Sequence, residues 1–109
     1  MTNEDFDKLL KEITGNMHTV LGEKAGQYAR GDRLSNFKTA ARRLNCTPER
    51  ALLGMVEKHS TAILDYVNDL DEPRMMSMDQ WGEKIGDSIN YLVLLLALVT
   101  ERAPEQPVK

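Results

Sequence analysis

Glu83 and Asp87 stand four residues apart in the stretch WGEKIGDSINYLVLLLALV, so on a helix their carboxylates share a face and can aim at one point. With Glu57 supplied from another segment, such a pair has the chemistry to hold Mg²⁺, a cation that takes carboxylates, waters and substrate phosphates. Two acids at this spacing also occur on any solvated helix face, and spacing alone does not separate the two. A second constellation suits a phosphate and a base. Arg33 and Lys58 carry positive charge, Asn36 and Asn90 offer amide hydrogen bonds, and Phe37 or Tyr91 presents a ring on which a base can stack. Arg30, Arg33, Lys38, Arg42 and Arg43 surround one acid, Asp32, which describes either a solvated face paired with acidic residues or a phosphate contact.

His59 falls within an apolar stripe, where a histidine is either a core residue with one satisfied hydrogen bond or a ligand contact. Lys58 adjoins it, and Glu57, Asp65 and Asp69 lie elsewhere around the same helix, so ionisable groups of both signs surround a partly buried imidazole. His18 lies off its own helix's stripe and reads as solvated. No nucleophile elbow, Walker loop, dinucleotide glycine fingerprint or zinc motif occurs, and the two histidines are too far apart for a metal pair on one helix. No catalytic residue is assigned on these grounds.

Four helices must position these groups. Thr2 with Asp5 resembles a capping box. It opens a stripe of Phe6, Leu9, Leu10, Ile13, Met17, Val20, Leu21, Ala25 and Tyr28, predicting a first helix from about residue 3 to 28 that Gly15 and Gly22 weaken. Asp32 is the expected N-cap of a second helix with Leu34, Phe37, Ala41 and Leu44 inward. Asn45-Cys46-Thr47-Pro48 stops it and starts a third, with Thr47 as cap and Pro48 first, whose stripe is Leu52, Val56, His59, Ile63, Tyr66 and Leu70. After a turn at residues 71–74, Ser77 opens the fourth. On that helix Met78, Trp81, Ile85, Ile89, Leu92, Leu96 and Val99 are expected to be core. The face bearing Glu83, Asp87, Asn90 and Leu94, with Leu98 beside it, turns from polar to apolar along its length and calls for cover by a second layer or a second subunit. The expectation is an all-α, four-helix bundle-like single domain over residues 1–101 with a disordered tail over 102–109, whose RAPEQPVK has two prolines and no apolar period.

Composition bounds the function. At 109 residues, 41% of them hydrophobic, the chain suits one modest core. A net charge of -3 without long runs of one sign argues against non-specific nucleic-acid binding. The apolar run from Tyr91 is shorter than the roughly 20 residues of a membrane span. A single Cys46 and an acidic start lacking secretion-signal features predict a cytoplasmic protein.

The segment EKIGDSINYL resembles the helix of MazG-type nucleotide pyrophosphohydrolases, all-α enzymes that cleave nucleoside triphosphates with Mg²⁺. The wider pattern, YARGDRLSNFK, then EKH, then GDSINYL, looks more like small bacteriophage and prophage proteins related to the nucleotide modification associated domain. The likeness spans roughly residues 27–99 and implies a MazG-like helical arrangement, with Asp32, Arg33, Asn36, Phe37, Lys58, Asp87, Asn90 and Tyr91 at the matching polar positions. MazG-type enzymes carry EExxE on one helix and ExxD on the next. This chain has only Glu57 on the first, with Thr61 and Ala62 following, and on the second Lys84 stands where the acid of ExxD belongs, leaving Glu83 one step away.

Two functions follow as expectations. In the first, a phage-type protein in a bacterial host cytoplasm binds a nucleotide or nucleotide-like phosphate through Arg33, Asn36, Phe37, Lys58, His59, Asn90 and Tyr91, with Glu57, Glu83 and Asp87 carrying any Mg²⁺. It would either hydrolyse that ligand feebly or sequester it. In the second, the chain is an interaction module, an inhibitor or adaptor, with Leu94 and Leu98 as its contact surface and Asp87 braced by Arg33 or Lys58. Homo-oligomer formation through the last helix is expected in both.

Overall fold

The computed structural model of the chain describes residues 1–24, 31–72 and 75–102. The expected continuation of the first helix through Tyr28, the Pro73-Arg74 turn and the tail beyond Arg102 lie outside them. Among the described residues every regular element is helical: α1 Asn3–Met17, a π-helical segment His18–Lys24, α2 Ser35–Leu44, α3 Pro48–Asn68 and α4 Met78–Arg102. The fold is all-α.

The helix starts follow from side-chain chemistry. The Asp5 N–H donates to the Thr2 hydroxyl at 3.0 Å, and the Arg50 N–H to the Thr47 hydroxyl at 3.1 Å with Pro48 at the first position. At α4 the box is reciprocal: the Gln80 N–H donates to Ser77 Oγ at 3.2 Å and the Ser77 N–H to Gln80 Oε1 at 3.0 Å. Asp32 does not cap α2 itself. The cap position is Leu34, and Asp32 Oδ1 accepts from the Leu34 N–H at 2.9 Å, forming the turn that leads in. α2 ends at Asn45, whose φ of 53° is left-handed, a conformation asparagine accepts more readily than most residues.

Three rungs join α3 to α4. Tyr66 meets Trp81 edge-on at 5.3 Å, His59 meets Tyr91 edge-on at 5.3 Å, and the Arg102 guanidinium pairs with Glu49 at 2.8 Å. Residue numbers fall along α3 as they rise along α4, so the two run antiparallel. The core between the helices is Leu34, Leu52 and Leu98, with Phe37, Tyr91, Leu94, Leu95 and Ala97 packed against it.

Along the C-terminal half of α4 the face that turns inward is not the one expected. Of the expected stripe, Trp81 packs on Tyr66 and Ile89 is half-buried, whereas Met78, Ile85, Leu92, Leu96 and Val99 are exposed; Leu98 is buried instead, and Tyr91, Leu94 and Leu95 pack on the core. α4 is apolar on both sides along its C-terminal half, so periodicity could not tell which side α2 and α3 would take. The choice falls to the side on which Asp87 and Tyr91 can meet His59. The proposed contact patch of Leu94 and Leu98 is therefore core, and the surface available to a partner is the other stripe. α1 also departs from expectation. None of its residues is buried, and Phe6, Leu9 and Leu10 stand in solvent.

Candidate functional site

Of the expected site residues, the fold gathers His59, Asp87 and Tyr91, with Phe37 and Tyr91 both seated on the core cluster. His59 is 8% exposed, and its Nδ1 donates to the Met55 carbonyl at 3.0 Å, one turn back along α3. Its Nε2 lies 3.5 Å from Asp87 Oδ2 on α4. With the Nδ1 proton committed to a carbonyl, Nε2 donates to the carboxylate only when the ring is cationic. The imidazole lies between two helices, held to α3 through Nδ1 and facing Asp87 of α4 through Nε2. The partner of Asp87 is thus His59, in place of the expected Arg33 or Lys58.

The remaining residues are dispersed. Asn36, Lys58, Glu57 and Glu83 are exposed, and Asn90 is half-buried on α4. The Arg33 guanidinium donates to the Leu21 carbonyl, which ties α2's approach to the π-helical segment. Glu57 lies 3.9 Å from Arg50 on its own helix, both side chains more than half exposed, a pair of little energetic consequence. Among the described residues no group of three or more His, Cys, Asp or Glu side chains could hold a metal ion. Glu57, Glu83 and Asp87 are not brought together, so the donor set expected for Mg²⁺ does not fit one cation here.

Two shallow grooves flank the C-terminal half of α4. One, of about 630 Å³, runs between Leu21, Arg33, Leu34 and the Val93–Ala97 stretch; the other, of about 750 Å³, lies where the end of α2, the start of α3 and the end of α4 meet. Arg33 lines the first, and Lys38 and Arg42, from the basic set that could contact phosphate, line the second.

A cluster that sequence reading missed borders both. Lys38 Nζ pairs with Asp32 Oδ2 at 2.7 Å and also with Glu101 near the end of α4. The Lys38 ammonium, aided by the Leu34 N–H, holds the Asp32 carboxyl below its ordinary value, and Asp32 followed by Glu101 holds Lys38 above its own. This ties the turn before α2, α2 itself and α4 together. The partners are 6 and 63 positions from Lys38; only the nearer could have been guessed, from the lone acid among basic residues.

Compared with protein-family models, with curated proteins and with solved structures, the chain finds no match. No helix of the described residues is long and apolar enough to cross a membrane.

Proposed function

We propose that this chain is a protein-interaction module that works by packing exposed apolar helix faces against protein, its own copies included. The distribution of hydrophobic side chains carries the reading. Among the described residues only Leu34, Ala41, Leu52 and Leu98 are buried hydrophobics, while Phe6, Leu9 and Leu10 on α1 and Met78, Ile85, Leu92, Leu96 and Val99 on α4 stand exposed. Apolar surface of this extent, continuous along a helix, marks a site of association. Under this reading the polar residues brace helices: His59 with Asp87, Lys38 with Asp32 and Glu101, Glu49 with Arg102. The test is light scattering of the intact chain together with binding of an apolar-surface dye such as anilinonaphthalene sulfonate. Association, or a monomer that lights the dye strongly, supports the reading; a strict monomer that leaves the dye dark overturns it.

A second reading rests on the convergence of His59, Asp87 and Tyr91, since the Asp87 side chain reaches the surface beside a ring. In it, a nucleotide or nucleotide-like phosphate binds over that edge, with Lys58 and Arg33 supplying positive charge, and is held or slowly processed. Isothermal titration with nucleoside triphosphates and cyclic nucleotides, with and without Mg²⁺, decides it. Heat of binding that Asp87→Asn abolishes supports it; silence across the panel removes it.

A further inference from the structure

The exposed stripe of α4 has a stricter pattern than amphipathicity demands. Met78, Gly82, Ile85, Ile89, Leu92, Leu96 and Val99 follow one another at alternating steps of four and three, a heptad seam sustained for about three repeats. The side chains packed against α2 and α3, among them Tyr91, Leu94 and Leu98, belong to the other positions of the same repeat. One helix thus carries a core face and, behind it, a knobs-into-holes face that the single chain leaves in solvent: Leu92 is 51% and Leu96 66% exposed. At 1.5 Å per residue the seam runs for about 32 Å.

We infer that the occupant of this seam is a second copy of the chain, pairing α4 with α4 about a two-fold axis. The inference rests on the interaction-module reading and names its partner. Charge is the first argument. In a two-fold contact residues near the axis meet their own counterparts, so a charged residue there would meet its like. From Ser88 to Thr100 α4 carries no ionisable side chain except the Tyr91 phenol, which faces the core. Of the positions that flank the seam and usually select a partner by charge, Gly86, Ser88, Val93, Leu95 and Thr100 are uncharged, and the charged ones, Asp79 and Arg102, stand at opposite ends with opposite signs. An antiparallel copy brings those unlike ends together, so nothing there discriminates against an identical helix. Gly82 and Gly86 have open space where a side chain would stand, leaving room for a neighbouring backbone at that end.

Continuity is the second argument. Met78, Ile85, Leu92, Leu96 and Val99 are all exposed, so the same stripe stays open along the length of α4 to a partner that runs beside it, as a second α4 would.

Sedimentation equilibrium of the intact chain, beside Leu92→Glu with Leu96→Glu, tests the pairing, with helicity followed by circular dichroism. The wild type is expected to be dimeric and the double variant monomeric with its helicity kept. Because a variant can fail by unfolding, Leu96→Ala supplies the milder case: a dimer dissociation constant weakened about tenfold or more at unchanged helicity. Leu64→Glu, at an exposed apolar residue of α3 outside the apolar faces of α1 and α4, is expected to leave the dimer intact. A dimer indifferent to both seam variants overturns the seam and leaves the interaction reading standing. A monomeric wild type that binds the dye strongly does the same, and one that leaves it dark overturns both.

Discussion

Asp32 and Lys38 show how a single pair sets a pH window. The Asp32 carboxyl lies below its ordinary 3.8, so its contribution to stability is complete above that value and is lost as pH falls through its lowered one. Lys38 lies above its ordinary 10.5, so its share is complete below that value and is lost as pH rises through the raised one. The clamp is therefore constant across the neutral range and releases only at the two extremes. Thermal denaturation of Asp32→Asn against wild type should show a deficit at neutral pH that narrows in strong acid; a deficit unchanged in acid would remove the clamp. His59 and Lys58 make a second contrast. His59→Ala empties a buried position and severs the link to Asp87, at a cost of about 2 kcal/mol or more. Lys58→Ala, on the exposed side of the same helix, should stay within about 0.5 kcal/mol of wild type in urea unfolding. Equal losses at both positions would contradict the placement of α3.

At the scale of elements, α3 is the piece on which the others pack. Leu52 has no exposed surface and sits in the one cluster shared by α2, α3 and α4, so Leu52→Ala should cost about 2–5 kcal/mol. Thr47→Ala removes a cap and should cost about 1 kcal/mol. Chemical denaturation orders the two, and a cap loss larger than the core loss would contradict this core. These starts were legible in the sequence because a cap is local chemistry: Thr2, Thr47 and Ser77 each act within three residues. The helix count and the inward position of His59 followed from period. What the sequence could not show was which side of α4 faces in, since both sides of residues 89–99 are apolar and period alone does not rank them. α1 was misread for the same reason. An apolar stripe predicts burial without saying whether the cover comes from the same chain. Of the expected site, His59, Asp87 and Tyr91 came together because they share the α3–α4 seam, while Glu57 and Glu83 stand exposed, and spacing along one helix carried no information about the gap between helices.

For the whole molecule, few of the described hydrophobic side chains are buried and one stripe of α4 stays exposed along its length, which agrees with a protomer whose second apolar layer is another protein surface. Association of this kind is driven by apolar burial, so added sodium chloride should leave it largely intact and sulfate should strengthen it, whereas an assembly held by ion pairs would weaken as salt rises. The most direct measurement is the mass of the intact chain by light scattering at micromolar concentration, repeated with Leu92→Glu and Leu96→Glu together. The account predicts twice the chain mass for the wild type and the chain mass for a variant that stays helical. A wild type at the chain mass, with no affinity for an apolar-surface dye, would contradict it.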